Sequence, residues 1–188
     1  AQTCIKCHAP GAYYASVIDF GDDRCKCHSK AKIFHEPTRP NTFVETLRSF
    51  PNQEMWVEMR MDGDGKWILD ALTEGTLEIA HDGSYQPEVT KDISSTAVLF
   101  QCKRTGKRLF TSFAERSPDA SSYRAEILGA IAAQLIVRAA TRNVQREYPS
   151  VPVYCDNKGV LNHGGQAERG LKEKQAQFDV LHVMKALV

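Results

Sequence analysis

The stretch Leu77-Glu78-Ile79-Ala80-His81, running into Asp82-Gly83-Ser84, decides the fold. Apolar and polar residues alternate along it, the period-two pattern of a half-buried strand. It ends on a carboxylate followed by turn-forming residues. Downstream, the mostly apolar Ser95–Cys102 and the run Arg108–Phe113 predict two more strands, joined by the charged turn Lys103-Arg104-Thr105-Gly106-Lys107. Gln86–Ser94, with Pro87, reads as a polar loop. These segments together predict an antiparallel meander. Tyr123–Asn143 predicts a long helix, because it is rich in Ala, Leu, Ile, Glu and Arg and holds no Pro. Ser121 or Ser122 is placed to cap it. Val151–Tyr154 reads as a short strand that arrives after a helix, so it is expected to run parallel to its neighbour. Glu168–Leu187 predicts a second helix. The expected fold class is α/β, a mixed sheet with flanking helices.

Three carboxylates sit at distinctive places in that scheme. Asp82 ends the first strand, Glu126 lies near the start of the long helix, and Asp156 ends the later strand in Tyr154-Cys155-Asp156-Asn157. Ligands gather at the carboxyl ends of strands in open α/β sheets, so two strand-end Asp residues and a helical Glu above the sheet can converge. From Glu126, helical spacing places Ala130, Ala133 and Val137 on one face, a small apolar stripe that predicts close packing on the sheet. A carboxylate at the end of an inward stripe is costly to bury unless it is paired or binds metal. Three converging carboxylates raise one another's pKa, and a divalent cation removes that repulsion. Hard oxygen donors suit Mg²⁺ or Mn²⁺. Two such ions roughly 3.5–4 Å apart are a standard device for in-line phosphodiester displacement. Each residue alone also has an ordinary reading. Asp82 fits a turn, Asp156-Asn157 fits the cap of a short helix around Lys158–Leu161, and Glu126 fits first-turn dipole compensation.

At these residues the chain resembles the ribonuclease H family, and most of all the ribonuclease H domains joined to reverse transcriptases of eukaryotic retroelements. Asp82-Gly83-Ser84 is similar to the family's first motif. Tyr123-Arg124-Ala125-Glu126, followed by Ala130 and Ala133, is similar to the second, and Tyr154-Cys155-Asp156-Asn157 to the third. The likeness covers about Gly75 to Val188. It implies a ribonuclease H-like domain over 76–188 that hydrolyses the RNA strand of an RNA–DNA hybrid, within a longer polyprotein. Asp82, Glu126 and Asp156 would be the catalytic ligands of two Mg²⁺ (or Mn²⁺) ions. Ser84, Asn157, Arg124 and Lys158 would contact the substrate, whose 2′-hydroxyls distinguish RNA from DNA. The family's fourth carboxylate, usually preceded by a His, would fall beyond Val188. Asp179 and His182 lie within the last predicted helix and are no substitutes by position. The absent initiator Met and the stop inside a helix read as cuts at both ends. His81 is expected to point to the opposite sheet face from Asp82, and so receives no catalytic role. An integrase-type site shares an acidic triad but usually takes its Glu last. A catalytically inactive nucleic-acid-binding module is the nearest alternative.

The rest of the chain is less specific. Residues 1–36 are rich in Cys and His. Cys4-x2-Cys7 and Cys25-x-Cys27, with His8 and His28 after them, are candidate Zn²⁺ ligands, Cys27 and His28 competing for the fourth position. Bound metal can fold such a coreless segment, and a zinc-dependent interaction module is a third reading. Residues 37–75 read as a linker or small hairpin, Glu54–Met61 and Lys66–Asp70 flanking the turn Asp62-Gly63-Asp64-Gly65. Cys102 and Cys155 read as buried small hydrophobes. The 188 residues are 42% hydrophobic and 25% charged, which excludes disorder as the default. No run approaches the ~18 consecutive apolar residues of a membrane span. Lys+Arg is 24 and Asp+Glu 23, so a nucleic-acid partner needs a local basic patch. No secretory signal opens the chain, so an intracellular location is expected.

Overall fold

In a computed structural model of the chain, residues 42–144, 146–164 and 177–187 are described. They belong to one unit, Pro40–Val188. Helix α1 (Phe43–Arg48) opens it, closed at its start by a capping box in which Thr42 and Glu45 bond each other's backbone N–H. A short 3₁₀ turn, Gln53–Trp56, then leads to strand β1 (Arg60–Met61) and helix α2 (Lys66–Thr73). This differs from the expected linker or hairpin. Lys66–Asp70 forms a helix, because Trp67, Ile68, Ala71 and Leu72 repeat with the helical period and are all buried. Gly65 starts that helix at φ +85°, and a Cβ there would meet the Phe43 ring at 2.5 Å.

Strands β2 (Leu77–Tyr85), β3 (Ile93–Cys102) and β4 (Arg108–Arg116) form the expected antiparallel meander. Each runs further than the sequence pattern marked, so Asp82 lies inside β2 rather than at its end. Helix α3 (Ser122–Thr141) follows, and the hydroxyl of Ser121 accepts from the Arg124 N–H as its N-cap. Strand β5 (Val153–Tyr154), helix α4 (Lys158–Gly164) and helix α5 (Phe178–Leu187) complete the unit. The strand order is β1-β4-β3-β2-β5, with β5 parallel to β2 and the other pairs antiparallel. This is the mixed α/β sheet with flanking helices of a ribonuclease H-like fold.

The core joins the early elements to the sheet. Met55, Trp56, Trp67, Ile68 and Leu72 are buried in one cluster with Leu77, Phe100, Leu109 and Ile136. Segment 42–75 is therefore part of the same core. Burying its two Trp and its aliphatic side chains stabilises the fold by about 1.5–3 kcal/mol each on transfer grounds. Cys102 is 2% exposed, the small buried residue that its strand pattern predicts. Among the described residues, no helix is long and apolar enough to cross a membrane.

Candidate active site

The site forms where β2 and β5 part. Their parallel pairing covers only Ile79↔Val153 and Ala80↔Tyr154. The Ile79 N–H bonds the Pro152 carbonyl, so odd-numbered residues of β2 aim their N–H groups toward β5. Beyond the end of β5 the Gly83 N–H takes a different acceptor, Glu126 Oε1, at 2.9 Å. Helix α3 lies very close here. A Cβ on Gly83 would stand 2.5 Å from the Glu126 nitrogen and 2.7 Å from Ala125. One turn along, a Cβ on Gly129 would meet the His81 ring at 2.9 Å. Ala125 and Gly129 thus lie close against the sheet, and the Thr96 hydroxyl secures the contact by donating to the Ala125 carbonyl at 2.8 Å. The stripe Ala130, Ala133 and Val137 lies one position round from that contact. Its residues line a groove of about 620 Å³ beside β5, shared with Ile79, Val153 and Met184.

Glu126 is brought together with Asp82 and Asp156 as the sequence predicts. One carboxylate oxygen from each lies within 4.8 Å of the others. Glu126 is 2% exposed, whereas Asp82 and Asp156 are exposed. Burial pushes the Glu126 carboxyl above its usual range, the Gly83 hydrogen bond opposes this, and the charges of Asp156 and Asp82 add to the rise. A cation in the cluster would relieve both the burial and the repulsion.

Two further side chains complete the surroundings of Glu126. His81 is 6% exposed, and its Nδ1 lies 3.3 Å from Glu126 Oε2. The Cys155 thiol donates to the same oxygen at 3.5 Å. His81 does point away from the Asp82 face, as alternation requires, but that inner face is the one Glu126 occupies. Burial holds the His81 imidazole below its usual value, against the pull of Asp82 and Asp156. The contact is therefore a neutral ring beside a carboxyl, not an ion pair. Burial, helped by the charges of Glu126 and Asp156, pushes the Cys155 thiol up to about 11. Cys155 is half-buried and polar in its contacts, which corrects its reading as a plain hydrophobe. Sequence reasoning missed both residues as neighbours of Glu126. The available signal was their position immediately before Asp82 and Asp156. If the two Asp residues leave the sheet on one side, their predecessors face the helix.

The four expected substrate contacts divide. Ser84 is exposed and, with Asp82, Ser95 and Ser112, lines a second groove of about 380 Å³. Lys158 is exposed in the first turn of α4. Asn157 uses its side-chain oxygen to accept from the Gly159 N–H at 3.0 Å and the Val160 N–H at 3.3 Å, so that oxygen caps α4. Arg124 is not available to a substrate. Its side chain is 7% exposed and forks onto Glu115, with Nε–Oε2 at 2.7 Å and Nη2–Oε1 at 2.8 Å. It also reaches Asp179 at 2.9 Å and Gln177 at 2.9 Å, and the Glu115 pairing holds its pKa above the usual arginine value. Arg124 stands two positions before Glu126 and so projects to a different side of α3, where the half-buried carboxylate of Glu115 on β4 claims it. Two cations of the charged turn are also paired, Lys103 with Glu78 at 2.6 Å and Arg104 with Glu74 at 2.8 Å. Cys4, Cys7, Cys25 and Cys27 lie outside the described residues, as does the first part of the predicted helix Glu168–Leu187. Neither a protein-family model nor a curated protein matches this chain, so the functional reading rests on the chemistry of the site.

Proposed function

We propose that this chain is a metal-dependent nuclease domain of the ribonuclease H type, acting inside the cell on the RNA strand of RNA–DNA hybrids as part of a reverse-transcriptase-type polyprotein. The observation that carries the reading is the meeting of Asp82, Glu126 and Asp156 where β2 and β5 part. Their oxygens are hard donors, two residues are open to solvent, and the third is raised in pKa until a cation arrives. That donor set fits Mg²⁺ or Mn²⁺. Two such ions would supply an activated water and charge neutralisation at the scissile phosphate.

The remaining work falls to the chain itself. Gly83 N–H and the Cys155 thiol hold the Glu126 carboxyl in place from opposite oxygens. Asp82 and Asp156 face the solvent from which the substrate comes. Ser84 and Lys158, both exposed near them in sequence, offer a hydroxyl and a cation to the nucleic-acid backbone. Arg124 is a positioning residue, tying the first turn of α3 to β4 and α5.

Cleavage of an end-labelled RNA–DNA hybrid tests this. Cleavage is expected with Mg²⁺, to stop with chelator, and to be lost in Asp82→Asn and Asp156→Asn. Equal cleavage by the wild type and both variants would overturn the site. Hybrid binding with no cleavage would support an inactive binding module instead. Stoichiometric zinc lost on Cys4→Ser and Cys7→Ser, with neither binding nor cleavage, would support an interaction module.

A further inference from the structure

We propose that His81, Glu126 and Cys155 form a site for a thiophilic divalent cation, zinc foremost, on the inner side of the acidic cluster. The three donor atoms lie within 4.8 Å of one another. Two of the separations can be checked against coordination geometry. A tetrahedral zinc with Zn–N and Zn–O of about 2.0 Å and Zn–S of about 2.3 Å holds N and O about 3.3 Å apart, and S and O about 3.5 Å apart. The structure has His81 Nδ1 at 3.3 Å and Cys155 Sγ at 3.5 Å from the same oxygen, Glu126 Oε2.

A second observation points to a ligand. The His81 side chain is 1% exposed, and its Nδ1 makes no hydrogen bond although it faces Glu126. A buried polar atom without a partner is uncommon and calls for an explanation. A cation seated between the three donors would satisfy it. The donor chemistry also separates this site from its neighbour. Imidazole and thiolate select zinc-like ions, whereas three carboxylates select magnesium-like ones. Cys155 is half-buried and His81 lines the groove beside β5, so an ion has a path in. On binding, the Cys155 thiol gives its proton to solvent and its hydrogen bond to Glu126 is replaced by a sulfur–metal bond.

Glu126 belongs to both sets, so an ion on the inner side draws it away from Asp82 and Asp156. Resting on the nuclease reading, the consequence is inhibition by zinc. The binding itself does not depend on that reading, and the experiment keeps the two apart. The full chain is prepared with Cys4, Cys7, Cys25 and Cys27 as Ser, leaving Cys102 and Cys155 as its thiols. It is titrated with Co²⁺, which reports thiolate ligation by a near-ultraviolet charge-transfer band. One equivalent is expected to give the band. The band is expected to persist in Cys102→Ser and in Asp82→Asn, to vanish in Cys155→Ser, and to need at least tenfold more Co²⁺ in Glu126→Gln. Absence of the band, or its survival in Cys155→Ser, would overturn the site whether or not the protein cleaves hybrids. A band in a protein that cleaves nothing upholds the site while the nuclease reading falls. Where cleavage is present, the Zn²⁺ concentration that halves the rate is expected to rise at least tenfold in Cys155→Ser relative to that variant's own zinc-free rate. An unchanged value would count against the shared Glu126.

Discussion

Replacing Arg124 by Ala tells a structural hub from a substrate contact. The guanidinium is 7% exposed and forks onto Glu115, itself 26% exposed, while Asp179 is 63% exposed. Removing one member of a buried pair typically costs 3–5 kcal/mol, because the other charge is left without compensation. Glu115 and Asp179 keep partial access to water, so the expected cost lies at the lower end, about 3 kcal/mol. For a chain of this length each kcal/mol moves Tm by about 2–4 °C, so Arg124→Ala should melt about 6–12 °C below wild type. Glu115→Ala leaves the guanidinium with Asp179 and Gln177 and should fall between the variant and wild type. The double variant should be less destabilised than the sum of the singles, by about 0.5–3 kcal/mol. Asp179→Ala removes the exposed arm and should cost no more than about 1 kcal/mol. Calorimetry or thermal unfolding by circular dichroism reads all four. Hybrid affinity against salt supplies the opposing result. A phosphate contact contributes about 0.9 to the logarithmic salt slope of duplex DNA. Melting within about 2 °C of wild type, together with a salt slope smaller by about one contact, would refute the hub and return Arg124 to the substrate.

Glu126→Gln should melt above wild type at neutral pH. The folded Glu126 pKa is raised, so folding favours its protonated form, and that contribution is present below the unfolded pKa and lost as pH rises through the folded one. The gap should therefore close as the pH falls toward the ordinary carboxylate range, and Mg²⁺ should raise the wild-type Tm but not the variant's; a variant that melts lower at pH 7 contradicts this. Gly83→Ala places a Cβ 2.5 Å from the backbone nitrogen of Glu126, which cannot yield without moving α3. It should cost about 3 kcal/mol, the upper end for overpacking, and remove Mg²⁺-dependent cleavage, both visible in urea unfolding and the hybrid assay. Ser121→Ala removes the side-chain cap of α3 and should cost about 1 kcal/mol in urea, with Ser121→Asp recovering most of it.

Much of this arrangement was legible because strong local signals agreed with the tertiary packing. The alternation of Leu77–His81, the Pro-free run after Ser121 and the placing of Asp82, Glu126 and Asp156 all survive into the fold. The Lys66–Thr73 helix was missed. Its short apolar run Trp67-Ile68-Leu69 fits a strand or a helix equally, and the helical spacing appears only when the reading is carried on to Ala71 and Leu72, which are buried with Trp67 and Ile68. Arg124 was misplaced for a related reason: Asp179 lies 55 residues on, and Glu115, although only nine residues back, meets it across the turn between β4 and α3, a pairing that no helical or strand spacing marks. His81 and Cys155 were hidden by treating each strand end as one acidic residue, when the pleat presents a pair of residues to opposite sides.

The amide proton of Gly83 is bonded at 2.9 Å to the carboxyl whose charge sets the state of the whole cluster. Its nuclear magnetic resonance frequency is consequently a native gauge of that charge. It should shift on protonation and on arrival of a hard cation outside, and shift differently when a soft one binds within, so one resonance in an ¹⁵N-labelled sample can follow the occupancy of both sides without any substitution in the protein.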